Sequence, residues 1–181
     1  ATQIVHCLNT ADGSVLWKRE FPSATHPKHQ FNCYASSTPA LDDRGVYYAW
    51  ATPDKLTLIK LDQADGNERW RRDLGPFESQ HAFGSSPIVL GETVILANEQ
   101  DGKSSVIALD RTSGETRWQA DRRTEKAAYA TPCIYRPQTG PPQLIVNSWA
   151  HGISSLDPAT GKLNWEQAVF KYRVVGSPAI A

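Results

Sequence analysis

The densest group of potential metal ligands in this sequence is a short His/Cys segment. His26, His29 and Cys33 follow one another at steps of three and four residues. Imidazole nitrogen and thiolate sulfur suit zinc or copper, and an irregular loop can wrap them around an ion. Only three such ligands are local, and Pro27 and Lys28 between them are typical of a solvated loop. We expect the segment to be a solvated surface insertion, with a metal site at His26, His29 and Cys33 as the alternative.

Five further side chains could bind a ligand or a partner without a metal. Trp50 and Trp149 could stack on a planar ligand or anchor a protein, because aromatic side chains are enriched in interaction hot spots. They could equally pack beneath loops. His81, Asn98 and His151 are polar residues in comparable stretches of the chain. We expect these five to form one ligand or partner face.

No residue of the sequence stands in a recognisable catalytic motif. There is no nucleophile motif, phosphate-binding loop or paired-carboxylate signature. Cys7, Cys33 and Cys133 lie far apart, and their odd number leaves at least one unpaired within the chain. We therefore assign no catalytic residue.

A repeated segment indicates which elements must position these side chains. Four ten-residue segments align without gaps, each with Leu, then Asp or Asn, Gly four residues later and Trp eight residues later. The four tryptophans are separated by 53, 48 and 47 residues. We expect them to pack between repeats, while the acidic residue and the glycine shape a tight turn. The motif residues are Trp17, Trp70, Trp118, Trp165, Asp62, Asp110, Asp157, Gly13, Gly66, Gly114 and Gly161.

A second signature, Ser or Thr followed by Pro, alternates with the first. It stands at Thr38-Pro39, Ser86-Pro87, Thr131-Pro132 and Ser177-Pro178, and the prolines are separated by 48, 45 and 46 residues. One period contains four short runs of β-forming residues joined by tight turns, with no helical periodicity between them. Four-stranded units at this period indicate a β-propeller in which each repeat is one blade. We name the strands of a blade A to D from the axis outward, and the proline opens strand A.

The predicted fold is all-β, a single propeller segment over residues 1–181 that forms about half a ring. Such an arrangement would leave open blade edges, through which copies could associate. We expect the chain to be an excerpt of a ring about twice as long, with a ring closed by two copies as the alternative. The predicted units are a partial blade at 3–21, complete blades at 34–74, 82–122 and 128–169, and a partial blade at 174–181.

This topology predicts which loops lie together. The connections from strand D to the next strand A share one end of the ring with the B–C loops. The His/Cys segment and the five candidate side chains all map to these connections and loops or beside them. We call this end the loop face.

Composition excludes several classes of function. The chain has 19 basic and 19 acidic side chains, so charge gives no indication of a nucleic-acid or membrane-surface binder. Its mean hydropathy is −0.46, and it has no apolar run near twenty residues, so we expect no transmembrane segment. We also find no targeting segment at its start.

The stretch from Ala108 to Trp118 resembles the tryptophan-docking motif A-x-D-x-x-T-G-x-x-x-W of the PQQ-like repeat propellers. That family includes quinoprotein alcohol dehydrogenases and the periplasmic lipoprotein BamB of the outer-membrane protein assembly machinery. The resemblance covers the chain from about residue 4 to 181 and implies a ring of seven or eight blades. The motif is structural, and both catalytic and non-catalytic members carry it.

The resemblance implies an exported bacterial protein, periplasmic or otherwise extracytoplasmic. We expect a non-catalytic scaffold that offers its loop face to a protein partner. One alternative is part of a PQQ-dependent dehydrogenase. The resemblance would then require a calcium ion, a catalytic Asp and two adjacent cysteines. The adjacent cysteines are absent from this stretch, and no Asp stands in a motif that marks it as the base. PQQ with calcium is expected only in that case, and no other cofactor is assigned. The second alternative is a small-ligand or carbohydrate binder that uses Trp50 and Trp149.

Overall fold

The protein is an all-β partial ring of antiparallel sheets. The computed structural model describes residues 1–25, 28–30 and 32–180. Within that part of the chain no helix has the length and apolar character needed to cross a membrane. The strands are β1 (Thr2–Leu8), β2 (Val15–Pro22), β3 (Ala40–Asp42), β4 (Gly45–Ala51), β5 (Leu56–Leu61), β6 (Glu68–Asp73), β7 (Ile88–Leu90), β8 (Thr93–Asn98), β9 (Gly102–Asp110), β10 (Thr116–Thr124), β11 (Cys133–Tyr135), β12 (Gln143–Ser148), β13 (Gly152–Leu156) and β14 (Leu163–Gln167).

These strands form four sheets in chain order. Blade I consists of β1 and β2, and blades II, III and IV are the four-stranded sheets β3–β6, β7–β10 and β11–β14. Every neighbouring pair is antiparallel, as tight turns require. Residues 174–180, expected to open a further blade, form no strand. An isolated strand has no backbone partner to complete its hydrogen bonds.

The apolar core lies between the blades. In blade II, almost every residue of β4 and all of β5 are buried, because neighbouring blades cover both faces of the sheet. Separate apolar clusters fill the interfaces of blades I and II, II and III, and III and IV. We call the space between two neighbouring blades a cleft. The side chains that project into a cleft therefore decide how tightly its two blades pack.

Each of the first three motif tryptophans packs on the motif glycine of the next blade. The Trp70 indole lies against Gly114, where an added Cβ would be 2.8 Å from Trp70 Cδ2. The Trp70 Nε1–H donates to the Arg111 carbonyl at 3.2 Å. Trp17 and Trp118 make the equivalent contacts with the turns at Gly66 and Gly161. The glycine is required both by its positive φ and by the space that the indole occupies.

The fourth motif tryptophan, Trp165, and the first motif glycine, Gly13, do not join blades as expected. Trp165 is 46% exposed, and its Nε1–H donates to Gln143 of its own blade at 3.2 Å. Gly13 has nothing within 4 Å of the position that a Cβ would take. The reason is the same for both, since Trp165 has no following motif glycine and Gly13 no preceding motif tryptophan in this sequence.

The hydroxyls of the Ser/Thr-Pro pairs join the blades near the axis. The Thr38 N–H donates to Ser86 Oγ at 2.9 Å, and the Ser86 N–H donates to Thr131 Oγ1 at 3.0 Å. The Thr131 N–H donates in turn to Ser177 Oγ at 3.0 Å. The hydroxyls of Ser86, Thr131 and Ser177 thus each accept from the preceding Ser/Thr-Pro pair. Pro39, Pro87 and Pro132 stand directly before a strand A, where a residue without an N–H leaves no donor unpaired.

Candidate functional site

The loop face combines the B–C loops with the connections between blades. The structure places the five predicted face residues in different environments there. Trp50 is 2% exposed and stacks between Phe21 and Tyr48, at ring-centroid distances of 5.7 and 5.6 Å. The Arg71 guanidinium covers the same ring at 5.6 Å. Trp50 therefore fills the cleft between blades I and II, and the expectation that it faces a ligand is corrected.

The cleft between blades III and IV contains a buried ion pair that the sequence did not reveal. The Arg122 guanidinium donates to the Glu99 carboxylate, and the two side chains are 5% and 2% exposed. Ser148 donates to the second Glu99 oxygen at 2.9 Å, and Arg122 also donates to Ser154 Oγ at 3.1 Å. Glu166 accepts from Ser154 at 3.0 Å. A polar network thus fills this cleft near the loop face, whereas aromatic rings fill the equivalent place between blades I and II.

His151 is tied into the same region. Its Nδ1 lies 3.1 Å from the Glu166 carboxylate, and its Nε2 lies 3.1 Å from the Arg123 carbonyl. Trp149 is half-buried on the loop face, with Lys126 Nζ 5.5 Å from its ring centroid. His151 joins blades III and IV through Nε2 alone, because Glu166 belongs to its own blade. Trp149 remains partly accessible.

His81 lies at the axial side of the loop face. It borders a cavity of about 520 Å³ that Tyr129 and Arg173 also line. Its ring packs edge-on against Tyr129 at 5.7 Å, and Ser79 Oγ lies 2.7 Å from the Tyr129 hydroxyl. Burial, together with the nearby Arg173 and His29, lowers the pKa of His81 below its ordinary value. The neutral imidazole is therefore favoured here.

The predicted metal ligands are only partly described. His26 lies outside the described residues. The His29 ring centroid is 5.4 Å from that of His81, and Cys33 is exposed with its Sγ 3.7 Å from Ser36 Oγ. A backbone hydrogen bond from Ala35 and that contact lower the pKa of Cys33, which favours thiolate. Across residues 1–25, 28–30 and 32–180, no three His, Cys, Asp or Glu side chains are grouped as metal ligands.

The metal site stays a prediction and has a direct test. If the segment binds zinc, Cys33→Ser is expected to weaken the binding at least about tenfold, because thiolate is a strong zinc ligand. Cys133→Ser is the matched control, since that thiol lies in β11 away from the segment. Competition with a chromogenic chelator measures both. A wild-type chain that takes no zinc from the chelator would leave the segment as a surface insertion.

Asn98 is the fifth predicted face residue. It ends β8, is 4% exposed and points into the cleft between blades II and III. Its Oδ1 has no hydrogen-bond partner among the described residues. A cavity of about 540 Å³ adjoins it. Nothing in the sequence indicated that this buried amide oxygen is unpaired.

Sequence reasoning missed the charged side chains that lie between blades. Arg122 and Glu166 occur in outer strands, where charge is ordinarily solvated. Their position in the repeat could have revealed them. Arg122 follows the motif Trp118 by four residues, so both side chains lie on the same face of β10, the face toward the next blade. Equivalent positions hold Phe21 in blade I and Leu74 in blade II.

Comparisons with known proteins agree with this architecture. The family model described as outer membrane protein assembly factor BamB matches residues 1–181. The protein of that name from Alkalilimnicola ehrlichii is 30% identical over 115 residues, which is 64% of this chain and 27% of the relative.

Two solved structures show the same fold. BamB from Moraxella catarrhalis superposes with a TM-score of 0.58 at 23% identity, covering 87% of this chain and 41% of that protein. The quinohemoprotein alcohol dehydrogenase from Comamonas testosteroni gives 0.61 at 19% identity, covering 91% and 32% respectively. The chain thus spans well under two thirds of the length of these relatives.

Proposed function

Because the chain belongs to the family described as outer membrane protein assembly factor BamB, we propose that it is a non-catalytic scaffold in the bacterial cell envelope, outside the cytoplasm. Its loop face would bind a protein partner engaged in outer-membrane protein assembly. The match to residues 1–181 supports this role, as does the named relative from Alkalilimnicola.

One structural observation carries the proposal. Two titratable side chains on the loop face, Glu99 and His151, help to hold blades III and IV together. Glu99 is paired with Arg122, and His151 is held between Glu166 and the Arg123 carbonyl. Side chains used in this way make a rigid surface, which favours binding of a partner with little ordering cost.

The accessible apolar side chains on this face suit a protein partner. Tyr172 is 83% exposed and Val175 is 67% exposed in the connection after blade IV. Phe170, in the same connection, lines a shallow cavity with Trp149. Aromatic residues are common anchors in interfaces. The carbohydrate alternative loses one of its two expected stacking platforms, because Trp50 is buried.

Site-directed crosslinking tests the proposal. A photo-crosslinking amino acid at Tyr172, in the full-length protein in the periplasm of a Gram-negative host, is expected to crosslink an outer-membrane assembly component. The matched control is Thr112, exposed in the C–D turn at the opposite end of blade III. Equal crosslinking from both positions would contradict a specific loop-face interaction. Quinone-dependent dye reduction by the same protein with PQQ and calcium would instead favour the dehydrogenase alternative.

A further inference from the structure

The three inter-blade clefts can be compared at one level near the loop face. Three positions meet there: the residue four after the motif tryptophan, the last residues of the next strand B, and the residue after the next motif tryptophan. Between blades I and II these are Phe21, Trp50 and Arg71, with both rings buried and Arg71 stacked over them. That cleft is filled.

The cleft between blades III and IV is filled by different chemistry. Arg122 and Glu166 occupy the outer-strand positions, and Ser148 ends strand β12. Arg122 and Ser148 both bind the buried Glu99. Two of the three clefts are thus closed, one by rings and one by an ion-pair network.

At this level near the loop face, the cleft between blades II and III is not closed, although an apolar cluster fills it deeper in the interface. The equivalent positions hold Leu74, Asn98 and Gln119, whose side chains are smaller than the rings of the first cleft. They line a cavity of about 540 Å³ that opens toward the loop face. This volume accommodates several residues of a peptide or a small ligand.

Asn98 is the polar group that such a ligand would satisfy. Its side chain is 4% exposed, and its Oδ1 accepts no hydrogen bond from any described residue. Leaving a buried acceptor unpaired costs free energy, which a ligand N–H or O–H can recover. The site therefore calls for a donor at its inner end.

Charge at the cavity mouth indicates the rest of the ligand. Lys103 and Arg123 line the cavity, both are exposed, and neither forms an ion pair with a described residue. Asp121 is the acidic residue that lines it, and it accepts a hydrogen bond from Gln119 at 2.6 Å. Two unpaired cations against one carboxylate favour an anionic ligand.

We propose that this cleft binds an extended acidic peptide segment of a partner protein. A backbone N–H of the peptide donates to Asn98 Oδ1, and its carboxylates bind Lys103 and Arg123. Leu74 and Pro76 supply an apolar wall for the stems of its side chains. None of the described residues that line the cavity is aromatic, so it offers no ring on which a sugar could stack. The inference rests on the proposed scaffold role and names its ligand class.

Fluorescence anisotropy with a fluorescein-labelled hexaglutamate peptide tests this site on the full chain. Lys103→Ala and Arg123→Ala are each expected to weaken binding about tenfold, because each loses one charge-assisted hydrogen bond. Lys55→Ala is the matched control. Lys55 occupies the position equivalent to Lys103 in blade II, beside the cleft that Trp50 fills. It should leave the affinity unchanged.

Further measurements make the result decisive. Asn98→Leu should also weaken binding severalfold, while all variants keep the far-ultraviolet circular dichroism of the parent. Equal losses from Lys103→Ala and Lys55→Ala, or equal binding of a labelled hexaglutamine peptide, would overturn the proposal. So would displacement of the peptide by millimolar glucuronic acid, since the ligand would then be an acidic sugar. Crosslinking from Tyr172 with no peptide binding would leave the scaffold role standing and remove only this site.

Discussion

Replacement of Glu99 by alanine is expected to lower the free energy of unfolding by about 3–5 kcal/mol, because the buried Arg122 guanidinium keeps only the more distant Glu166 carboxylate, 3.9 Å away. The Glu99 and Arg122 side chains are 2% and 5% exposed, so water cannot replace the lost carboxylate. Ser148 would also lose the acceptor for its hydroxyl. Urea unfolding followed by tryptophan fluorescence measures the change.

Two controls separate this effect from ordinary truncation. The double variant Glu99→Leu/Arg122→Met removes both charges and should recover much of the loss, because no unpaired charge remains. The exposed pair of Lys18 and Glu20 provides the surface comparison, and Glu20→Ala should barely move the urea midpoint. If Glu99→Ala were as mild as Glu20→Ala, the buried ion pair would contribute nothing measurable to the stability of the fold.

Gly161→Ala is expected to destabilise the protein by about 1–3 kcal/mol more than Gly13→Ala, the amount typical of overpacking a filled site. Both glycines have a φ of 73°, so the backbone cost of alanine, about 1–2 kcal/mol, is common to both variants. Only at Gly161 would the new Cβ meet an indole, 2.5 Å from Cε3 of Trp118. At Gly13 the space is open.

Thermal and urea denaturation of the two variants, side by side, give the difference directly. A crystal structure of the Gly161→Ala protein would show whether the Trp118 indole has left the turn. Equal destabilisation of the two variants would mean that the indole shifts at no cost, and that the motif glycine is needed for backbone conformation alone.

The local pattern of residues was enough to predict the sheets. Alternating β-forming runs and turns with Gly66 or Gly114 require only contacts within a few residues, and these are the same in every repeat. The glycine-to-tryptophan spacing likewise predicted packing between repeats. What it did not predict was direction: each tryptophan packs on the glycine of the following blade, so Trp165 is left exposed and Gly13 uncovered.

The loop face shows the same division. The loops that form this face could be predicted from topology, because strand order decides which loops share an end of the ring. Its chemistry depended on pairs of side chains brought together from neighbouring blades. Trp50 is buried because Phe21 lies opposite it, whereas Asn98, at the equivalent position, meets the smaller Leu74 and keeps an unpaired oxygen.

The sequence by itself therefore determined a propeller of repeated four-stranded blades and which loops share one end of the ring. Only the tertiary structure decided which clefts are filled by rings, which by the ion pair of Arg122 and Glu99, and which is left open. The physical reason is that strand formation depends on local backbone hydrogen bonding and side-chain alternation. Cleft filling depends on the summed volume and charge of residues far apart in the chain.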